Sequence, residues 1–375
     1  MKLIASLFLA LSTAACASQP SLEEAGLKLT PEGLITRAPS DKPSAVQQKQ
    51  MAEARYGMFI HFGINTFHDQ EWTDGSKPAK SYAPKEIAAE EWVLGAKNAG
   101  MSHVVLVCKH HDGFCLWPSP LTEYSVKNSG NPTDVVKAVA EACHKHGVRF
   151  AVYYSCWDRK WDAEHAADYK KDQAAADRAY ADYMSKQIEE LMTGYGPVHE
   201  LWIDGSWIKK PERWGFDRVY DAVKKHQPAC QVAINWNIGH PKNINKHPVL
   251  PKDQREGFPI RFFPSDFRLG DPHLPAFPDP KVFTHQGEKF YMPFESTVCL
   301  NDKWFWNSKD KGLKSVDELE KLFYTATAQG NLLLLNSPPG PDGHMRPATL
   351  QRLVELRDRL GLKIGQPLPP NPLDR

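Results

Sequence analysis

Several side chains able to do chemistry recur at one kind of position in this chain, the place where a short apolar run stops. Asp204 closes the run His199–Asp204 and is followed by Gly205. His61 lies near the end of the run Arg55–Ile64, and His110, His111 and Asp112 follow the run His103–Cys108. Tyr153 and Tyr154 end Val148–Tyr154, and Asn235 and Trp236 end Cys230–Trp236. Trp202 precedes Asp204 by two residues, on the same side of an extended strand. Taken alone, Asp204 reads equally as an Asx-turn former beside a glycine, His61 as a satisfied core histidine and Tyr153 as packing. Together they read as one constellation. An ionised carboxylate can attack or take a proton, neutral His and Tyr can hydrogen-bond hydroxyl groups, and an indole can cover the apolar face of a sugar.

The elements that must position these groups alternate in type. Strands are expected at 55–64, 103–108, 148–154, 199–204, 230–236, 293–299 and 331–336, with a short further strand inside the Pro-rich stretch 237–289. Helices are expected at 87–99, 134–146 (Thr133 at its N-cap, Gly147 as its stop), about 172–192, 216–225, 316–329 and 348–360. Seven or eight strands separated by helices predict an α/β fold, a (β/α)8-like (TIM-type) barrel, in which strand C-terminal ends share one face. A G-x-G-x-x-G after the first strand and a P-loop are both missing, and nothing repeats at a fixed period, so a nucleotide-binding sheet and a solenoid have no support.

A strand-end Asp within such a pocket suggests glycoside hydrolysis, which needs a second carboxylate to protonate the leaving oxygen. The sequence offers Glu71, Glu256, Asp266, Asp271, Asp279, Glu288 and Glu295. Metal ligation by His61, Asp204 and one of the adjacent His110–His111 pair is the weaker reading. Neighbours on an extended strand point to opposite sides, and no H-E-x-x-H pattern occurs.

Bulk properties narrow the class. The 46 Lys+Arg nearly balance 45 Asp+Glu, so there is no basic field for nucleic acid. Aromatics are plentiful, with 11 Trp, 12 Tyr and 17 Phe. Lys2, the apolar run Leu3–Leu11 and the small residues to Ala17 read as a signal peptide over 1–17. Thr13-Ala14-Ala15-Cys16 also resembles a lipobox with Cys16 as the acylated residue. Export to the periplasm or cell surface follows from either reading, and the only membrane association expected is a lipid anchor at Cys16. Residues 18–45 read as an N-terminal arm or linker, 46–362 as the barrel and 363–375 as a tail. No cysteine pair has zinc or redox spacing.

The stretches RYGMFIHFGINTF (55–67), KHHDGFCLWPS (109–119), VYYS (152–155), LWIDG (201–205), PFESTVCLNDKWFWN (293–307) and GNLLLLNSPPGPDG (330–343) resemble the retaining α-L-fucosidases of glycoside hydrolase family 29. The resemblance runs from about residue 50 to 360. It implies exo-cleavage of terminal α-L-fucose from a fucosylated oligosaccharide or glycoconjugate, through a covalent intermediate, with no metal or organic cofactor. It implies Asp204 as nucleophile and His61, His110, His111, Tyr153 and Trp202 as fucose-holding residues. The acid/base of many members lies in a segment resembling G-D-F-x-T-P-E. Here the nearest match is Ser265–Asp271, which puts Asp271 at the Glu position but differs in side chain and flanks. Glu295, in the PFES stretch, is the runner-up. Many members carry a C-terminal β-sandwich, whereas a catalytic domain alone is expected here, with Arg375 close behind the last helix. The wording FCLWPS and NTF-x-D-x-EW leans toward members acting on α-1,3/1,4-linked fucose. Two other readings stay open: an α-L-galactosidase, and a surface lipoprotein that binds fucosylated glycan without cleaving it.

Overall fold

The computed structural model describes residues 19–245 and 248–374. The expected signal peptide, with Cys16, lies outside the described residues. Eight parallel strands form one sheet that curls into a (β/α)8-like barrel. In chain order they are β1 (Tyr56–Ile60), β2 (His103–Lys109), β3 (Arg149–Ser155), β4 (Glu200–Asp204), β5 (Gln231–Ile234), β6 (Arg268–Gly270), β7 (Phe294–Cys299) and β8 (Leu332–Asn336). The spatial order is β5-β4-β3-β2-β1-β8-β7-β6. The remaining seam is closed by a parallel bridge between Ala233 and Phe267 and by Asn237 Nδ2, which donates to Phe267 O at 3.0 Å.

Side-chain alternation along each strand sorts the residues into two cores. Val105, Val107, Tyr153, Trp202, Phe267 and Leu269 turn inward and fill the barrel. Val104, Leu106, Val152, Leu201 and Ile203 turn outward and pack under the helices. Both faces are buried, which is why these strands read as nearly continuous apolar runs.

The flanking helices are α1 (Ala89–Asn98), α2 (Val135–His146), α3 (Gln173–Gly194), α4 (Phe216–His226), α5 (Val316–Thr327) and α6 (Pro347–Leu360). The start of α2 corrects the expected cap: Asp134, not Thr133, is the N-cap, and its side chain accepts from Lys137 N at 2.9 Å. Among the described residues, no α-helix follows β5 or β6. After β5 the chain runs through loops with one 3-10 turn, Pro251–Asp253, and after β6 it forms a hairpin, Val282–His285 with Glu288–Tyr291. The many prolines there interrupt the helical ladder.

Residues 18–45, expected as an arm or linker, are tied to the barrel where described. The hairpin Leu27–Leu29/Ile35–Arg37 brings Arg37 to the seam, where its guanidinium donates to Ser265 O at 2.8 Å and lies 3.4 Å from Asp266. A leading helix, Ala45–Glu53, then delivers Gln50 beneath the barrel.

Asp266, one of the candidate second carboxylates, is fully engaged at this seam. It accepts from Tyr220 Oη at 2.7 Å and Val232 N at 2.8 Å, and pairs with Lys224 at 2.8 Å. Burial favours its neutral form, but Lys224 and Arg37 outweigh burial and hold its pKa below the usual carboxylate range. Asp266 is therefore a seam residue, not a proton donor. Asp266→Ala leaves buried cations without their partner and is expected to cost about 3–5 kcal/mol, read from urea unfolding at neutral pH. The pair's contribution is expected to fade as pH falls through the carboxylate range, because the depressed folded pKa stabilises only the ionised state.

Candidate functional site

The rim at the strand C-terminal ends gathers the predicted groups. Asp204, the last residue of β4, is buried and turns inward. Its Oδ2 accepts from Tyr153 Oη at 2.8 Å and its Oδ1 from Asn235 Nδ2 at 3.0 Å. Donors from β3 and from just beyond β5 thus hold the carboxylate from both sides. Gly205, at φ +84°, turns the chain away at once, and a Cβ there would press into Trp157.

The K-H-H-D-G stretch works by a change of direction. Lys109 ends β2 outside the barrel, donating to Tyr154 Oη, Asp158 and Gln187. Because the strand stops there, His110 and His111 do not point to opposite sides as an extended strand would require. Their rings lie 4.2 Å apart, centroid to centroid, on the same rim. Asp112 accepts from Asn65 Nδ2 and Phe114 N, and Gly113 at φ +90° lets the turn pass Asp158.

The hydrogen-bond partners fix which nitrogen of each histidine carries the proton. Asn336 Nδ2 donates to Trp304 O at 2.8 Å, so Asn336 Oδ1 must accept from His61 Nδ1–H at 2.8 Å. His61 Nε2 therefore presents a lone pair. Asn65 Oδ1 accepts from Thr73 N, so Asn65 Nδ2 donates to His110 Nδ1 at 3.3 Å and His110 presents Nε2–H. Ser155 Oγ gives its proton to Trp157 O at 2.6 Å, so it accepts from His111 Nδ1–H at 2.7 Å. His111 Nε2 then faces Asp204 Oδ2 at 3.7 Å as an acceptor. Two acceptors so placed want a donor between them, such as a ligand hydroxyl. Burial keeps the rings neutral: His61 is lowered to about 3, His111 to about 4, and His110 falls well below its usual value; neighbouring histidines add to the shifts of His61 and His110, and Arg159 to that of His111.

Aromatic surface surrounds this arc. Trp304 and Phe305 lie 5.1 and 5.3 Å from His61, and Trp72, Trp157 and Trp207 lie 5.2 to 5.6 Å from His111. Trp202 stands below the rim. It stacks on Tyr153 at 5.5 Å and is packed against Phe59, and its indole N–H points down to Glu295. A hollow of about 420 Å³ near Tyr124, Trp161 and Tyr183 lies behind the β3 loop, and its Asp158 is already paired with Lys109.

The candidate second carboxylates separate clearly. Asp271 follows Phe267 and Leu269 on the inward parity of β6 and stands just past its end. Burial and the charge of Asp204 push its pKa well above the usual range. Its residue surface is still partly open to solvent, so it is crowded but not sealed. Glu71 reaches the same end of the barrel, accepting from Trp304 N at 3.1 Å, and burial raises it as well. Glu256 binds the backbone of Lys281 and Val282, Asp279 is paired with Arg268 and Lys281, and Glu288 is exposed on the hairpin.

Glu295, the runner-up, is corrected by its position. It is the second residue of β7, whose rim residue is Cys299, so it sits about 13 Å lower along the strand. It is fully buried and accepts from Trp202 Nε1 at 3.0 Å. It serves the barrel floor, not the rim.

Asn336, Ser155, Asn65, Trp304 and Phe305 were not singled out from sequence. Asn336 and Ser155 end β8 and β3, so the strand-end rule extends to them. Trp304 and Phe305 come from a loop whose path carries no periodic signal. Selective ¹⁵N labelling of histidine tests the proton placement: at pH 7, His61 and His111 are expected as Nδ1–H tautomers and His110 as Nε2–H. Because these folded pKa values are depressed, the unfolded chain takes up protons first. Stability is therefore expected to decline as pH falls below about 6.5 toward about 4, where His111 itself titrates.

A family model described as Alpha-L-fucosidase matches residues 36–361. "Alpha-L-fucosidase 1" of Arabidopsis thaliana is 30% identical over 326 residues, covering 83% of this chain and 59% of that protein. "Tissue alpha-L-fucosidase" of Homo sapiens is 26% identical over 337 residues, covering 80% of this chain and 65% of that protein. The chain thus spans less than two thirds of these relatives' length. Among solved structures, a glycoside hydrolase 29 family member from an unknown rumen bacterium superposes with a TM-score of 0.68 at 26% identity, over 86% of this chain and 58% of that one. A putative alpha-L-fucosidase from Bacteroides ovatus gives 0.64 at 28% identity, over 86% and 56%.

Proposed function

Since residues 36–361 place the chain in the α-L-fucosidase family, we propose that it hydrolyses terminal α-L-fucose from glycans with retention of configuration. The observation that carries the reading is the pair Asp204 and Asp271 on one rim. Asp204 is held by two donors, and Asp271 is kept protonated by burial and by Asp204's charge.

Each residue then has a defined task. A carboxylate oxygen of Asp204 attacks the anomeric carbon as the bond to the leaving oxygen breaks, and Asp271 gives that oxygen its proton. The ester so formed is hydrolysed by a water that passes a proton back to Asp271, and the Asp204–carbon bond breaks. His61 Nε2 and His111 Nε2 accept from sugar hydroxyls, and His110 Nε2–H donates to one. Tyr153 holds Asp204 in place, and Trp202 supports Tyr153 from below.

We also propose export, supported by Lys2, the run Leu3–Leu11 and the small residues before Ala17, with Cys16 as a lipid attachment point.

Asp204→Ala is expected to lower turnover of an aryl α-L-fucoside by more than about 10³-fold. Proton NMR of the first-formed sugar should show α-L-fucose, and β-L-fucose would contradict retention. Asp271→Asn should lower turnover of a natural glycan by about 10²–10⁴-fold, with a smaller loss on an activated aryl leaving group that needs no proton. The wild-type kcat/KM should fall as pH rises through the raised pKa of Asp271, and that basic limb should vanish in Asp271→Asn. If the limb vanishes in Glu71→Gln instead, Glu71 is the proton donor. A panel of glycans with defined linkages assigns the α-1,3/1,4 preference. An intact Asp204→Ala protein that binds fucosylated glycan, from a wild type without turnover, would favour the non-catalytic reading.

A further inference from the structure

At the opposite end of the barrel from Asp204, three polar groups converge with no hydrogen bond between them. His103, Glu200 and Glu295 come from the N-terminal ends of β2, β4 and β7 and are fully buried. One ligand atom from each lies within 4.8 Å of the other two. His103 Nε2, Glu200 Oε1 and Glu295 Oε2 are buried and without a hydrogen-bond partner.

The surrounding hydrogen bonds make His103 Nε2 an acceptor and leave Glu200 Oε1 and Glu295 Oε2 as the free carboxyl oxygens. Burial raises the pKa of Glu200 to about 8, and burial with the charge of Glu200 raises that of Glu295 well above the usual range, so a cation bound here displaces protons. Ser102 Oγ donates to Tyr56 O at 2.9 Å, so its oxygen accepts from His103 Nδ1–H at 3.0 Å. His103 Nε2 therefore carries a lone pair, and it faces Glu200 Oε1 at 3.9 Å. The other oxygen of each carboxylate is held by an amide or indole N–H: Gln50 Nε2 donates to Glu200 Oε2 at 3.3 Å and Trp202 Nε1 to Glu295 Oε1 at 3.0 Å. Each group is thus oriented by an outer partner while its free lone pair points inward, the arrangement that outer-shell hydrogen bonds impose on metal ligands. Gly57 makes the room, because a Cβ there would collide with the His103 imidazole. Two carboxyl groups and an imidazole lone pair in a dry interior need either protons or a cation between them, and the convergence of three oriented ligand atoms favours the cation.

We propose that His103, Glu200 and Glu295 bind a divalent transition-metal cation at the barrel floor. One imidazole nitrogen and two carboxylate oxygens suit Zn2+ or its first-row neighbours, with water as a fourth ligand. Tetrahedral zinc at about 2.1 Å from its ligands needs them about 3.4 Å apart, so the three atoms close in only modestly on binding. A cavity of about 110 Å³ lined by Gln50, Arg149, His199 and Gln231 opens beneath the floor, and Gln50 stands between it and Glu200. Arg149 and Lys49, the cations that line the cavity, share Glu53 at 2.7 and 3.1 Å. The bound ion fixes Glu295, and through it the Trp202 indole under Tyr153. This is a positioning role and takes no part in the bond-breaking steps at Asp204.

Full-length protein purified without chelator is expected to carry about one equivalent of metal by inductively coupled plasma mass spectrometry. After chelator dialysis, added Zn2+ should raise Tm by about 5 °C at a hundredfold excess over Kd. Added Co2+ should give the visible absorption of a tetrahedral site. Gln50→Ala should weaken Zn2+ binding by about 10–100-fold, and Glu200→Gln should abolish it. If Glu200→Gln fails to fold, the wild-type metal content and the Gln50→Ala affinity still decide. A wild type that neither carries nor takes up Zn2+, Mn2+ or Co2+ overturns the proposal and assigns the floor to a shared proton and water. Stoichiometric metal that survives Glu200→Gln overturns it as well.

Discussion

The two hydrogen bonds on Asp204 are the constraint around which the rest of the site is arranged. Tyr153 and Asn235 can both reach the carboxylate only if β3, β4 and the end of β5 lie side by side in register. The observed pairing of Tyr153 with Trp202 and of Ser155 with Asp204 supplies that register. A slip of one residue would turn Asp204 outward into the helix layer. Two donors satisfy the Asp204 carboxylate in a buried place, while burial and the charge of Asp204 push the pKa of Asp271 up. Two carboxyl groups of the same kind thereby stand in different environments, one held by two donors and one desolvated, which is the asymmetry on which the proposed acid-assisted chemistry rests.

Much of this was legible in the sequence, because strand ends in a barrel are a physical rule and not a matter of local propensity. Asp204, His61, His110, His111 and Tyr153 were each named from the residue at which an apolar run stops, and each stands on the rim. The same rule reaches Asn336 and Ser155, whose tasks are to fix histidine tautomers. Glu295 misled because its motif matched well while its depth in the strand was invisible: only the register shows it beginning β7 rather than ending it. Asp266 misled because a buried carboxylate between Lys224 and Arg37 looks, in sequence, like any other. The stretch 237–289 stayed opaque because prolines and a hairpin replace the helices whose periodicity would have marked it.

Inward parity also connects the two ends of the barrel. Glu200, Trp202 and Asp204 are alternate residues of one strand and serve the floor, the middle and the rim. Trp202 couples them physically: its ring supports Tyr153, and its N–H is held by Glu295. The close packing of this column transmits small shifts, so a group that orders the floor also orders the tyrosine that holds Asp204.

The most direct test of the account is covalent capture. The protein is incubated with a 2-deoxy-2-fluoro-α-L-fucosyl donor bearing a good leaving group, which slows hydrolysis of the ester more than its formation, then digested and sequenced by mass spectrometry. The account predicts one fluorofucosyl adduct per chain, on Asp204 within the peptide containing His199–Gly205. An adduct on any other carboxylate, or rapid inactivation with no adduct at all, would contradict it.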